Sequence, residues 1–163
     1  MNPKLKTVIT VLCAITAVPG IAQTITPEQR LKYPCLDKVS GEAKDTVVST
    51  NQIPETFKGL APAYVGHWNE PDGRKVCTAL LVSSIGTRGQ GGAVYTNDEP
   101  YKRTHTMGLA IKRDGARFSF DVFHRSQGWS IDYVSEDGGK TLQMSPGQGY
   151  RGPAKTGELV AVE

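Results

Sequence analysis

Few residues in this chain can do chemistry, and their spacing limits what they can do. Two of the three histidines, His105 and His124, bracket the stretch HTMGLAIKRDGARFSFDVFH. Its centre, Asp114-Gly115, is a hairpin signal, because both central positions of a type I′ turn need φ > 0. With that pair at the tip, Ile111 faces Phe118, Leu109 faces Phe120, Met107 faces Val122 and His105 faces His124. The opposite face sets Lys112 against Arg117, Ala110 against Ser119 and Gly108 against Asp121. Neighbouring imidazoles can share a proton or recognise a ligand. Zinc would need at least a third protein ligand, and His67 has the parity of an outward-facing residue. Asp98, Glu99, Asp121, Asp132 and Glu136 could form an acid/base pair only if the fold brought two together. Asp121 and Asp132 fall on the solvated face. The chain has no GxSxG, HExxH, paired-cysteine zinc motif or dinucleotide fingerprint. The expectation is a non-enzymatic protein without a cofactor.

The cysteines depend on where the chain goes. Residues 1–22 have the build of a secretory signal: Lys4 and Lys6, an apolar run over 8–18, and Gly20-Ile21-Ala22 at the cleavage positions. The run is too short to be a stable membrane span. Cleavage would remove Cys13 and two lysines, and the excess of basic over acidic residues would fall from three to one. So small an excess gives no case for nucleic acid or anionic membranes as partners. The remaining pair, Cys35 and Cys77, is expected to form a disulfide in a periplasmic or secreted protein. Closing that loop stabilises a fold by about 4 kcal/mol in the chain-entropy model. The spacing, unlike CxxC, argues against a redox or metal pair.

The elements that must position these groups are read as strands. A chain of 163 residues suits one domain with a sizeable core, and 18 Gly with 10 Pro point to many turns. Residues 23–60 are expected to form an arm fastened by Cys35. It would hold a short helix with Thr26 as N-cap and Pro27 at the first helical position, and a brief strand over 46–49. From residue 61, strands and turns repeat every 10 to 14 residues. The turn Glu70-Pro71-Asp72-Gly73-Arg74 sets Tyr64 against Leu80, Gly66 against Thr78 and Trp68 against Val76, so Trp68 points in and Cys77 out. The strand over 75–85 is apolar on both faces and needs cover on both. A strand over 93–97 follows the glycine-rich stretch 86–92, where a phosphate loop would need a helix. Gln127-Gly128 then sets His124 against Ile131, and Asp137-Gly138 sets Tyr133 against Leu142. After a Gly/Pro-rich crossing over 145–153, a last strand runs over 159–162. The expected fold is all-β: an antiparallel up-and-down barrel of about eight strands over 61–163, preceded by the arm and the signal. Lys102, Arg103, Lys112, Arg113, Arg117 and Arg125 make the central hairpin basic, as a soluble outer face would be.

Gly66-His67-Trp68 resembles the G-x-W signature of the lipocalins, in the calycin group of barrels. The likeness covers 63–144 in pattern and three residues in motif; Asp98-Glu99-Pro100-Tyr101 has the shape of a second motif but follows the first too soon. The resemblance implies an inward tryptophan at the barrel floor, a basic residue over it (Arg151 is the candidate), and a small apolar or amphiphilic ligand inside. Trp68, His105, Met107, His124, Trp129 and Tyr133 would line that site. A void of roughly 300 Å³ or more would mark a hollow barrel, and side chains alone can fill one this small. The second expectation is an exported module that binds an envelope protein, such as a hydrolase inhibitor. It would use the loops 87–92 and 145–152, the latter with Tyr150 and Arg151, residue types that often dominate interfaces.

Overall fold

The computed structural model describes residues 25–38, 52–98, 104–151 and 155–163. The signal over 1–22 and the strand over 46–49 lie outside the described residues. Eight strands close into one antiparallel barrel in chain order. They are β1 (Ala63–Asn69), β2 (Lys75–Ile85), β3 (Gln90–Asn97), β4 (Thr104–Asp114), β5 (Arg117–His124), β6 (Trp129–Ser135), β7 (Thr141–Pro146) and β8 (Thr156–Ala161). β8 returns to pair with β1, so no strand is left as an edge. At that seam the backbones meet closely, and a Cβ on Gly66 would run into the Glu158 carbonyl oxygen. β3 begins earlier than expected and absorbs residues 90–92; β8 begins earlier too.

The first hairpin has the expected register, Tyr64 with Leu80, Gly66 with Thr78 and Trp68 with Val76. The three later hairpins do not. Ile111 pairs with Phe120, His124 with Trp129, and Tyr133 with Met144. Each partner has moved by two residues, which keeps every side chain on its expected face, because the strand period is two. At the central hairpin the tip is Gly115-Ala116, with Gly115 at φ 62°. That glycine-first order is the one a type II′ turn favours, and it displaces the Asp-Gly reading. The register also puts Phe123 beside Gly108, where the ring covers the bare backbone.

Inside, Tyr64, Tyr95, Phe118, Phe120, Tyr133 and Leu142 are almost wholly buried. The arm covers the outside of β1 and β2. α1 (Pro27–Lys32) starts with Thr26 and Gln29 capping each other's backbone N–H, and α2 (Cys35–Lys38) follows. Ile25, Cys35 and Leu36 pack on Val65, Cys77, Ala79 and Leu81 in a second cluster. This is why β2 is apolar on both faces. Cys35 and Cys77 are joined by a disulfide. No described helix is long and apolar enough to cross a membrane.

One end of the barrel is plugged. The 3-10 turn Glu55–Phe57 puts Phe57 into the core, with Leu60 and Ile53 packed alongside. Three features at that end touch the plug. A Cβ on Gly89, between β2 and β3, would press on the Phe57 ring; Arg113 Nη1, at the end of β4, donates to the Thr56 carbonyl at 3.0 Å; and Gly139, between β6 and β7, abuts the Gly59 carbonyl. Arg113 is exposed while making this contact. It lies over the Phe118 ring at 5.2 Å and helps close the end.

Candidate functional site

At the opposite end β1, β3, β4, β5 and β6 bring five rings into sequence around the rim. Trp68 meets Tyr95 at 5.8 Å between centroids, Tyr95 stacks on His105 at 6.4 Å, and His105 stands edge-on to His124 at 5.3 Å. Trp129 completes the cluster, 5.6 Å from His105 edge-on and 5.5 Å from His124 in a stack. The two imidazoles are thus neighbours as expected, but by a diagonal contact, since the β4–β5 register does not set them directly opposite. His124 Nδ1 lies 3.3 Å from Ser126 Oγ, and Trp129 Nε1 donates to Gln127 Oε1 at 2.7 Å. The turn at 125–128 thereby fixes both rings at its own base. His105, His124 and Trp129 are half-buried. The apolar part of the rim stays partly open to solvent.

Beside this cluster, reaching onto the outer face of β5 and β6, is a wide-open surface depression of about 720 Å³ bordered by Asp121, His124, Arg125, Trp129, Ser130 and Gln148. Asp121 and Asp132 are direct cross-strand partners on the outer face. Burial first, and then the Asp121 charge, push the Asp132 carboxyl up. The two carboxylates are on the expected face, and the pair is closer than sequence spacing alone established.

Deeper in, the remaining expected lining residues belong to the packed core. Met107 and Tyr133 are buried, and among the described residues the Tyr133 hydroxyl and the Trp68 indole N–H meet no hydrogen-bond partner. A gap of about 10 Å³ lies between Trp68, Ile131, Met144, Tyr150 and Lys155. That is room for one water. Over the Trp68 ring, at 4.1 Å, stands Lys155 Nζ, which also pairs with Glu70 Oε1 at 2.5 Å. Arg151, the candidate for this place, is exposed instead. Trp68 also lies at the end away from the plug, whereas the lipocalin resemblance implies the floor.

The two loops considered for insertion into a partner sit at opposite ends. Residues 86–89 join β2 to β3 at the plugged end, and residues 147–151 follow β7 at the open one. They cannot form one surface, so only Tyr150 and Arg151 remain near the rim. Sequence reasoning missed Tyr95, although its alternation with Ala93 and Asn97 gives it inward parity. It also missed Lys155, which follows an irregular stretch where no period assigns a face. Comparison with protein-family models, with curated proteins and with solved structures finds no match to this chain.

Proposed function

We propose that the protein is an exported, non-enzymatic binding module, lipocalin-like in build, that takes a small amphiphilic ligand at the open rim. The observation that carries this reading is the half-buried His105–His124–Trp129 cluster at the edge of an open surface depression. Flat rings receive an apolar ring or chain by stacking, and Arg125 at the border gives an anionic head a partner. The filled core favours the rim over the barrel axis as the place of binding. The lipocalin-like reading draws support from the inward Trp68 and the cation over it. Export, to the periplasm or beyond, draws on the apolar run over 8–18 and the disulfide. Titration with the amphiphilic fluorophore 1-anilinonaphthalene-8-sulfonate tests the proposal. Saturable binding that Trp129→Ala weakens roughly three- to tenfold supports it. Absent binding, or binding indifferent to Trp129, overturns it.

The filled interior also favours a second reading, an exported protein-binding module such as a hydrolase inhibitor, with Tyr150 and Arg151 at the contact. Capture of one stable partner from envelope extract, abolished by replacing both residues with alanine, supports that reading. Capture unchanged by the replacement removes the 147–151 segment from it.

A further inference from the structure

His67 lies on the outer face of β1 as the direct cross-strand partner of Cys77 on β2. Its imidazole leans against the disulfide, with Nε2 at 3.1 Å from Cys35 Sγ and 3.6 Å from Cys77 Sγ. Three elements therefore converge: α2 brings Cys35, β2 brings Cys77 and β1 brings His67. Their donor atoms all lie within 4.8 Å of one another. The sulfurs are buried beneath the arm while the histidine is exposed, so an ion could enter from the solvent side through the imidazole.

We propose that, once the disulfide is reduced, Cys35, Cys77 and His67 bind one Cu(I) ion through two thiolates and one imidazole. Donors about 2.0–2.3 Å from a trigonal ion stand roughly 3.5–4.0 Å apart. The two nitrogen–sulfur distances, 3.1 and 3.6 Å, already approach that spacing. The sulfurs must part the furthest, which breaking their bond allows, and the imidazole must draw back slightly from Cys35 Sγ. Thiolate donors select soft ions. A set of three suits Cu(I), which accepts trigonal coordination, better than structural Zn(II), which takes four ligands. The chemistry balances with a dithiol as reductant. Two electrons from the dithiol break the Sγ–Sγ bond, the dithiol closes to its own cyclic disulfide, and Cys35 and Cys77 become thiols. Binding of Cu(I) then releases both thiol protons to solvent. The arm gains a second means of attachment, an ion in place of a covalent bond.

The test uses the full chain with Cys13→Ser in every sample, which leaves Cys35 and Cys77 as the only thiols. Protein reduced with dithiothreitol and freed of it under nitrogen is titrated against the coloured Cu(I)–bicinchoninate complex. Reduced protein is expected to withdraw one equivalent of Cu(I), and oxidised protein none. His67→Ala, a change at an exposed side chain, is expected to weaken binding by more than tenfold, since even groups behind a metal ligand cost about 10- to 100-fold when lost. Near-ultraviolet circular dichroism establishes that the variant keeps its barrel. Failure of the reduced protein to take Cu(I), equal affinity in His67→Ala, or uptake of Zn(II) in place of Cu(I) overturns the proposal.

Discussion

Lys155 stands over the ring of Trp68 and at the same time forms an ion pair with Glu70, and both charged side chains are largely withdrawn from water. The arrangement ties the start of β8 to the end of β1 at the rim. Removing one partner of a buried pair leaves the other charge without compensation, which costs about 3–5 kcal/mol. Lys155→Met is therefore expected to lower stability by about 3 kcal/mol in urea unfolding. Adding Glu70→Gln should restore part of it, because the stranded carboxylate is gone. Strictly additive losses in the two single variants and the double would show that the charges do not act as a pair.

Tyr64 and Tyr133 are both buried in the barrel, yet their hydroxyls differ. Tyr64 Oη accepts the Ala61 N–H at 2.9 Å, which ties the plug to β1. Tyr133 Oη has no partner among the described residues. Burial pushes both phenols well above their ordinary range. Tyr64→Phe should cost about 1 kcal/mol through the lost hydrogen bond. Tyr133→Phe should be neutral or stabilising by about 1 kcal/mol, since it deletes an unsatisfied polar group. A clear loss of stability in Tyr133→Phe would mean that the hydroxyl has a partner after all.

Which parts were legible in the sequence follows from what sets each of them. Alternation gave every inner face of the four-strand run from β4 to β7, because burial acts on parity and parity survives a slip of two. It did not give the register. Asp114-Gly115, Gln127-Gly128 and Asp137-Gly138 each locate a turn without saying on which side of the glycine the tip falls. At the first hairpin Pro71 and Gly73 leave less freedom, and the pairing came out right. The plug was not foreseen, since Phe57 and Leu60 occupy an irregular segment where hydrophobicity has no period. The site was legible as far as it rested on parity: His105, His124 and Trp129 converge. Lys155 reaches the rim only because the barrel closes, a long-range fact that local patterns do not contain.

Asp137 accepts from the backbone N–H groups of Lys140 and Thr141 and from the hydroxyls of Ser135 and Thr141, organising the turn between β6 and β7. These bonds, the Thr141 backbone N–H foremost, hold its carboxyl down at about 2. A carboxyl depressed on folding contributes stability that is complete above its unfolded value, near 3.9. The contribution fades as pH falls through about 2. Asp137→Ala should cost about 1–2 kcal/mol at neutral pH, and the gap from the unchanged protein should narrow between about pH 4 and pH 2. A gap of constant size across that window would mean that the ionised carboxylate is not what holds the turn.

The helical part of the arm, residues 25–38, packs in a cluster of its own outside β1 and β2, apart from the tyrosine-rich interior. Residues 25–38 are held by the disulfide, by packing of Ile25 and Leu36, and by Tyr33 Oη, which donates to the Ala161 carbonyl and accepts the Glu163 N–H, whereas the barrel is closed on itself. Reduction of Cys35–Cys77 is therefore expected to act locally first. Amide exchange should accelerate through residues 25–38 while β4 and β5 keep their protection, since weakly packed segments open below the global transition. Freed of the arm, Val65, Ala79 and Leu81 would present apolar surface, and a fluorophore sensitive to such patches should respond. The loss associated with the bond, about 4 kcal/mol in the chain-entropy model, would then appear mainly as opening of the arm. Loss of protection in arm and barrel together would instead show one cooperative unit, with the disulfide supporting the whole fold. Protection regained by the reduced arm on addition of Cu(I), but not in His67→Ala, would tie this opening to the three-donor site.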